Sequence, residues 1–162
     1  MAYWQQLSAK FKPLFFYVFL NLVLLPASIS LHEWGHWFSF YCLGHKQGYV
    51  IFSLAGGMFI SQESIADLSH LFIIGISGGM TVTFIFGILY LCLDWETDYI
   101  EKQVLRNYIA HQFFYAFAEA FYAIGLYDIN VLSAISMFIY PICLYGTLIY
   151  ICIQLFKGDC DG

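Results

Sequence analysis

Three long stretches without a charged side chain constrain this sequence more than any other feature. Residues 13–31, 71–93 and 129–156 contain no Asp, Glu, Lys or Arg. A helix needs about 20 apolar residues to cross the hydrocarbon core of a bilayer, and each stretch is close to that length or exceeds it. Composition agrees, because only 10% of the 162 residues are charged, against about 25% in soluble domains. The sequence therefore predicts an integral membrane protein embedded in a lipid bilayer.

The apolar pattern predicts an all-α membrane protein that crosses the bilayer several times. We expect a single membrane domain, residues 1–162, because no long linker or soluble segment interrupts the pattern. About four transmembrane helices are predicted, at approximately 13–43, 65–93, 104–125 and 129–156. The protein is therefore expected to be a multi-pass one.

The segment between the first two predicted spans has a different character. Residues 45–60 mix glycines with the short β-prone runs "YVIF" and "MFI", which predicts a small β-hairpin or re-entrant segment. Since open strands cannot face lipid, this segment is expected to lie against protein or at the membrane interface. The net charge of −5 comes without a basic cluster, so nucleic acid is not expected as a partner.

The motif "HEWGH" lies at the end of the first predicted span. His32 and His36 are four residues apart, so on a helix they lie on one face and can both bind one metal ion. Glu33 is turned by about 100° from His32, beside the site. This is the arrangement of a zinc hydrolase, in which two histidines bind the metal and the carboxylate takes a proton from the water that zinc activates. Ionisable groups inside a membrane are costly and are functional by default.

The stretch "LHEWGHWFSFYCLGHK" resembles the active-site helix of the site-2 protease family of membrane-embedded zinc metalloproteases. The resemblance is concentrated in residues 31–44, and "GYVIFSLAGGMFI" lies where the family has a membrane-associated β segment. It implies a minimal member without accessory domains, with one Zn²⁺ per chain and an aspartate ligand supplied by a later helix. It also implies Glu33 as the catalytic general base.

Catalytic zinc usually has three protein ligands, so a third is expected beyond the histidine pair. The resemblance favours Asp128 in "GLYDINVLS", which lies 96 residues after His32 and directly before the last predicted span. Glu119 is the alternative, because it lies well inside the third predicted span and needs a partner there. His111, Tyr115, Glu119 and Tyr122 recur at helical spacing and form one polar stripe that is expected to face the interior of the helix bundle. Whichever acid is not the ligand is expected to orient a ligand imidazole or to assist proton transfer.

These features predict an intramembrane zinc metalloendopeptidase that cleaves transmembrane or membrane-proximal segments of membrane-protein substrates. The hairpin would bind the substrate as an added strand. The alternative is a non-catalytic membrane scaffold or accessory subunit that retains a protease-like metal site. A haem bundle is disfavoured, because the two histidines come from one face of one helix. Without a PDZ-like or nucleotide-sensing domain, regulation is expected from a partner in trans.

Overall fold

The computed structural model describes residues 2–53, 56–94 and 98–157, with only the backbone described at 2–10, 139–141, 143–144 and 154–157. The elements follow in the order α1 (Ala2–Cys42), β1 (Gly48–Ser53), β2 (Gly56–Ser61), α2 (Leu68–Cys92), α3 (Tyr99–Ala123) and α4 (Ile129–Lys157). The prediction of a mostly helical chain with a small β-hairpin after the first helix is confirmed, although the hairpin tip at 54–55 lies outside the described residues.

Helix α1 is much longer than predicted. It begins at Ala2 instead of near residue 13, and it continues through both Pro13 and Pro26. At 1.5 Å per residue, its 41 residues extend over about 60 Å, roughly twice the hydrocarbon thickness of a bilayer. The HEWGH motif therefore lies in the last turns of a helix that can traverse a membrane and still project beyond it.

Two helices in the described part of the chain are long and apolar enough to cross a membrane, Phe11–Cys42 and Leu68–Cys92. The expectation of four such helices is not met. Helix α3 carries four charged side chains, Glu101, Lys102, Arg106 and Glu119. In α4 the apolar stretch among the described residues is the shorter Ile129–Phe138. The polar and charged side chains of α3 lower its hydropathy, whereas residues 129–156 of α4 contain no charged side chain.

Helices α2 and α3 pack closely because glycines of α2 face α3. A Cβ atom on Gly75 would lie 2.8 Å from the Cα atom of Ala120, and one on Gly79 would lie 2.7 Å from the Cβ atom of Ala116. Small residues at such positions allow two helix backbones to approach each other. A separate apolar cluster, which joins all four helices, comprises Tyr17, Val82, Phe86, Val104, Leu105, Tyr108 and Ile151.

The hairpin is an antiparallel pair in which Gly48 lies opposite Ser61 and Ser53 lies opposite Gly56. It packs against the end of α1 through Phe59, whose ring centroid lies 5.2 Å from that of Phe40. A Cβ atom on Gly48 would be 2.9 Å from the Phe40 ring, so glycine permits this close packing. The hairpin is thereby held beside the HEWGH turns of α1.

Candidate metal centre

The two histidines of HEWGH lie one turn apart on the buried face of α1. His32 and His36 are 6% and 8% exposed, and their ring centroids are 4.7 Å apart. Gly35 between them allows α2 to approach, because a Cβ atom there would lie 2.7 Å from the carbonyl oxygen of Ser77. Gly78 consequently lies directly against both imidazoles. A Cβ atom added at Gly78 would be 2.9 Å from Nε2 of His32. Glycines on both helices therefore create the space that the two rings fill.

Each imidazole is oriented by a hydrogen bond from its Nδ1 atom. Nδ1 of His36 donates to the carbonyl oxygen of Ile74 at 2.6 Å, and Nδ1 of His32 donates to Oε1 of Gln112 at 2.8 Å. Partners of this kind fix the tautomer of metal-binding histidines in proteins. Because the Nδ1 atoms carry the protons, both Nε2 atoms present lone pairs, and these atoms lie 3.0 Å from each other.

Glu119 of α3 completes a group of three facing acceptors. Its Oε2 atom lies 2.9 Å from Nε2 of His32 and 3.5 Å from Nε2 of His36. Ligand atoms 2.0–2.1 Å from a zinc ion at the tetrahedral angle are roughly 3.3–3.4 Å apart. The three separations of 2.9, 3.0 and 3.5 Å are close to that spacing, so these residues form a group that can hold a metal ion.

The group lacks a proton donor of its own when both imidazoles are neutral. Oε2 of Glu119 is buried and makes no hydrogen bond within the described residues. Buried polar atoms in folded proteins are nearly always paired, and a metal ion or a proton held between these three atoms would pair them. Two neutral imidazoles and one carboxylate are a donor set that zinc favours. His32, His36 and Glu119 therefore fit the metal that the sequence motif predicts.

Asp128, the acid favoured by the family resemblance, is not part of this group. It follows α3 and precedes α4, where its Oδ1 atom accepts hydrogen bonds from the backbone N–H groups of Asn130 at 2.9 Å and Val131 at 3.1 Å. Those bonds are typical of a residue that caps a helix N-terminus. The acid beside the two histidines is Glu119, the alternative from sequence. Glu119 reaches the histidines because it lies within α3, one turn before the end of the helix. Asp128 lies beyond the end of α3.

A cavity of about 590 Å³ opens beside the three acceptors. Glu33 lines it together with His32 and Glu119, and the hairpin borders it through Gly56 and Gly57. A Cβ atom on Gly57 would be 2.6 Å from Cγ of Glu33, so the tip of the hairpin rests on this side chain. The structure thus brings Glu33, the predicted general base, to the same cavity as the predicted metal ligands.

Two further polar residues of the predicted α3 stripe also line this cavity. His111 stacks on Tyr115 with ring centroids 5.6 Å apart, and Tyr115 lies 5.8 Å from the His32 ring. His111 is not in the group of three acceptors. Gln112 is the functional residue that sequence reasoning missed. The available signal was its spacing, since it lies seven residues, or two helical turns, before Glu119 and therefore on the same face.

Comparisons of the chain with family models, with curated proteins and with solved structures gave no match. The candidate site consequently rests on the geometry of this chain alone. That geometry defines a class of site, a buried two-histidine, one-carboxylate group beside a cavity that holds a second carboxylate.

Proposed function

We propose that this protein is a membrane-embedded zinc metalloendopeptidase of the site-2 protease type. The observation that carries the proposal is the convergence of Nε2 of His32, Nε2 of His36 and Oε2 of Glu119, which all lie within 4.8 Å of one another. Catalytic zinc sites use three protein ligands and leave one position for water. The adjoining cavity provides space for that water and for a peptide segment.

In the proposed reaction the chain supplies binding, orientation and proton transfer. A bound zinc ion would lower the pKa of a water molecule and polarise a peptide carbonyl. Glu33 would accept the proton that this water releases and then deliver it to the leaving amine. Gln112 and the carbonyl oxygen of Ile74 would keep both imidazoles aimed at the metal. Glu33 is a carboxylate at the cavity rather than a member of the ligand group, which suits this separate role.

The proposed substrates are transmembrane or membrane-proximal segments of other proteins. Peptide bonds in a helix are shielded, so a substrate has to be extended at the cut site. The hairpin supports this, because Gly57, which pairs with Phe52, lies against Glu33 and an extended peptide can add to a strand edge. The proposal also includes four bilayer crossings, with α3 and α4 as the inner and covering helices. Buried polar side chains on α3, including His111 and Gln112, suit a helix that is surrounded by other helices.

The direct test compares membrane proteins of cells that express the wild-type chain or Glu33→Gln. The measurement is mass spectrometry of new protein N-termini in the membrane fraction. We expect new N-termini within transmembrane segments for the wild type and a loss of at least about 100-fold for Glu33→Gln, because general acid–base catalysis contributes about 10²–10⁴. Glu101→Gln, in the first turn of α3, is the matched control and should leave cleavage unchanged.

Two outcomes would overturn the proposal. Equal cleavage by Glu33→Gln would show that this carboxylate is not the base. Zinc in the purified wild-type protein without any new N-termini would instead identify a non-catalytic membrane scaffold or accessory subunit that retains the metal site.

A further inference from the structure

A second pair of histidines lies outside the candidate metal centre, where the hairpin meets the start of α2. Nε2 of His45 lies 3.1 Å from Nδ1 of His70. His45 lies three residues after the end of α1, and His70 lies in the first turn of α2. Neither residue belongs to the group of three acceptors. The pair therefore connects two segments that are separate in the sequence.

Carboxylates flank this pair on both sides. Nδ1 of His45 donates to Oε2 of Glu63 at 3.0 Å, because a carboxylate can only accept. Neutral His45 then has a lone pair at Nε2, so Nδ1 of His70 is the donor in the bond between the rings. Nε2 of His70 faces Oδ2 of Asp67 at 4.0 Å. The order carboxylate, imidazole, imidazole, carboxylate thus forms one continuous chain of polar groups.

Glu63 also closes the base of the hairpin. Its Oε1 atom accepts the backbone N–H groups of Lys46 at 2.8 Å and Gln47 at 2.7 Å, and the N–H group of Gln62 donates to the carbonyl oxygen of Gln47 at 2.7 Å. These bonds fasten the two ends of the hairpin to each other. The His45–His70 bond then fastens that closed base to α2.

The bond between the two rings limits how many protons this chain of groups can hold. One extra proton fits at Nε2 of His70, where it faces Asp67. A second has no place, because Nε2 of His45 already accepts a hydrogen from His70, and two imidazolium rings at 3.1 Å would repel each other. If the rings separate, both can be protonated. The separated state therefore binds more protons than the joined state.

We propose that the His45–His70 bond is a pH-sensitive latch that holds the base of the hairpin on α2 and releases it on acidification. The sign follows from proton counting, because the state that binds more protons gains population as pH falls. The latch is therefore closed at neutral pH, and acidification favours its open state.

The charged neighbours of the latch keep their charge in this pH range. Hydrogen bonds from the backbone N–H groups of Lys46 and Gln47, and then from His45, lower the pKa of Glu63 below its ordinary value. Bonds from Ser69 lower the pKa of Asp67 in the same way. On the side of α1 the latch contacts the uncharged Phe40, which stacks on the His45 ring at 4.8 Å. The two carboxylates beside the latch therefore stay ionised, and the number of protons that the latch holds depends on the two rings.

Opening of the latch would also affect the candidate metal centre, and this part rests on the proposed function. The hairpin that the latch holds contacts Glu33 through Gly57 and lies beside His36 through Phe59, with ring centroids 6.4 Å apart. A loosened hairpin would no longer position an extended substrate beside Glu33. Acidification would thereby reduce cleavage through the latch, separately from any effect on metal binding.

Hydrogen exchange on the purified full-length protein in lipid nanodiscs tests the latch directly. The measured quantity is the protection factor of hairpin amides in residues 48–53 and 56–61, corrected for the intrinsic pH dependence of exchange. We expect protection in the wild type to fall about tenfold between pH 7.5 and 5, since one hydrogen bond and its geometry are lost. His70→Gln retains a donor that cannot be protonated, so its protection should stay constant across this range.

A second variant and a parallel measurement of zinc content distinguish a failure of the latch from a failure of the proposed metal centre. His45→Gln keeps a donor for Glu63 and an acceptor for His70, and it too should show constant protection. Constant protection in the wild type, or an equal fall in the wild type and both variants, would overturn the latch. Zinc content measured on the same samples reports on the metal centre. Wild-type protein that lacks zinc but shows the pH-dependent fall would contradict the proposed function and leave the latch standing.

Discussion

The chain contains two histidine pairs whose ring nitrogens are almost equally far apart, 3.0 Å for His32 and His36 and 3.1 Å for His45 and His70. In the first pair both Nδ1 atoms donate to fixed oxygens of the helix bundle, so the facing Nε2 atoms both carry lone pairs. In the second pair only His45 is bound in this way, so the two rings share a proton between them. The same separation therefore suits a metal ion in the first pair and a shared proton in the second.

The two histidine pairs also differ in how exposed their side chains are and in which groups face them. The side chains of His32 and His36 are 7% and 10% exposed, and Glu119 faces both rings. The side chains of His45 and His70 are 18% and 32% exposed, so water reaches them. A buried set of three acceptors can be paired by a metal ion, whereas a partly exposed pair can exchange protons with solvent. The hydrogen bond at the remote nitrogen of each ring is thus the feature that distinguishes the pair proposed to bind metal from the pair proposed to act as a latch.

Removal of one histidine from each pair should produce the largest difference in zinc affinity between two variants. His36→Ala is expected to lower zinc affinity by more than the roughly 100-fold that follows loss of an outer hydrogen-bonding partner, because a ligand itself is lost. His70→Ala should leave zinc affinity unchanged. Competition against a chromogenic chelator measures both values. Equal losses in the two variants would contradict the distinction between the pairs.

Gly78→Ala should lower zinc affinity almost as much as His36→Ala does, although it removes no metal ligand. The new methyl group would lie 2.6 Å from Cε1 of His36, so the ring must move from its position. We expect zinc affinity to fall at least about 100-fold, as measured by the same competition. Gly87→Ala on the same helix is the control, since a Cβ atom there meets nothing within 4 Å. An unchanged affinity in Gly78→Ala would show that the histidine rings do not occupy the positions described.

Gln112→Leu tests the hydrogen bond that directs His32 toward Glu119. Loss of an outer partner of a metal-binding histidine costs about 10–100-fold in affinity, and we expect a decrease in this range. Gln103→Leu is the control on the same helix, because Gln103 donates to the hydroxyl of Tyr99 at 3.0 Å away from the cavity. Equal affinities for Gln112→Leu and the wild type would mean that His32 does not depend on this bond.

Asp128→Ala should have the smallest effect, confined to stability. The two backbone N–H groups that Asp128 caps would lose their acceptor, which costs about 1 kcal/mol at a helix N-terminus. Thermal unfolding in detergent measures the change as a lowered midpoint. Asn at this position can also accept these bonds, so Asp128→Asn should restore most of the midpoint. A collapse of the fold in Asp128→Ala would contradict a role limited to capping.

The sequence indicated the parts of the fold that depend on local spacing. The four-residue interval of His32 and His36 placed both rings on one face of a helix, and the alternation of glycine with β-prone residues placed the hairpin. The family resemblance contributed Asp128 as the third ligand, and here the structure differs. Which acid lies beside the histidines depends on how α3 packs against α1 and α2. That packing depends on the close contacts of Gly75 and Gly79 with α3, which the sequence alone does not show.

The second histidine pair was not predictable from the sequence at all. His45 and His70 are 25 residues apart and lie on different elements, so no helical or strand period relates them. Their contact depends on the length and closure of the intervening hairpin, which Glu63 fixes through Lys46 and Gln47. Gln112 is an intermediate case, because its two-turn spacing from Glu119 was visible but its partner His32 lies 80 residues away.

The most direct test of the central claim is the zinc content of purified protein, measured by elemental analysis of the wild type beside Glu119→Ala and Asp128→Ala. If His32, His36 and Glu119 hold the metal, the wild type and Asp128→Ala contain one zinc ion per chain and Glu119→Ala contains little. A wild-type protein without zinc would contradict the metal centre. Retention of zinc by Glu119→Ala, with its loss from Asp128→Ala, would contradict the assignment of Glu119 as the third ligand.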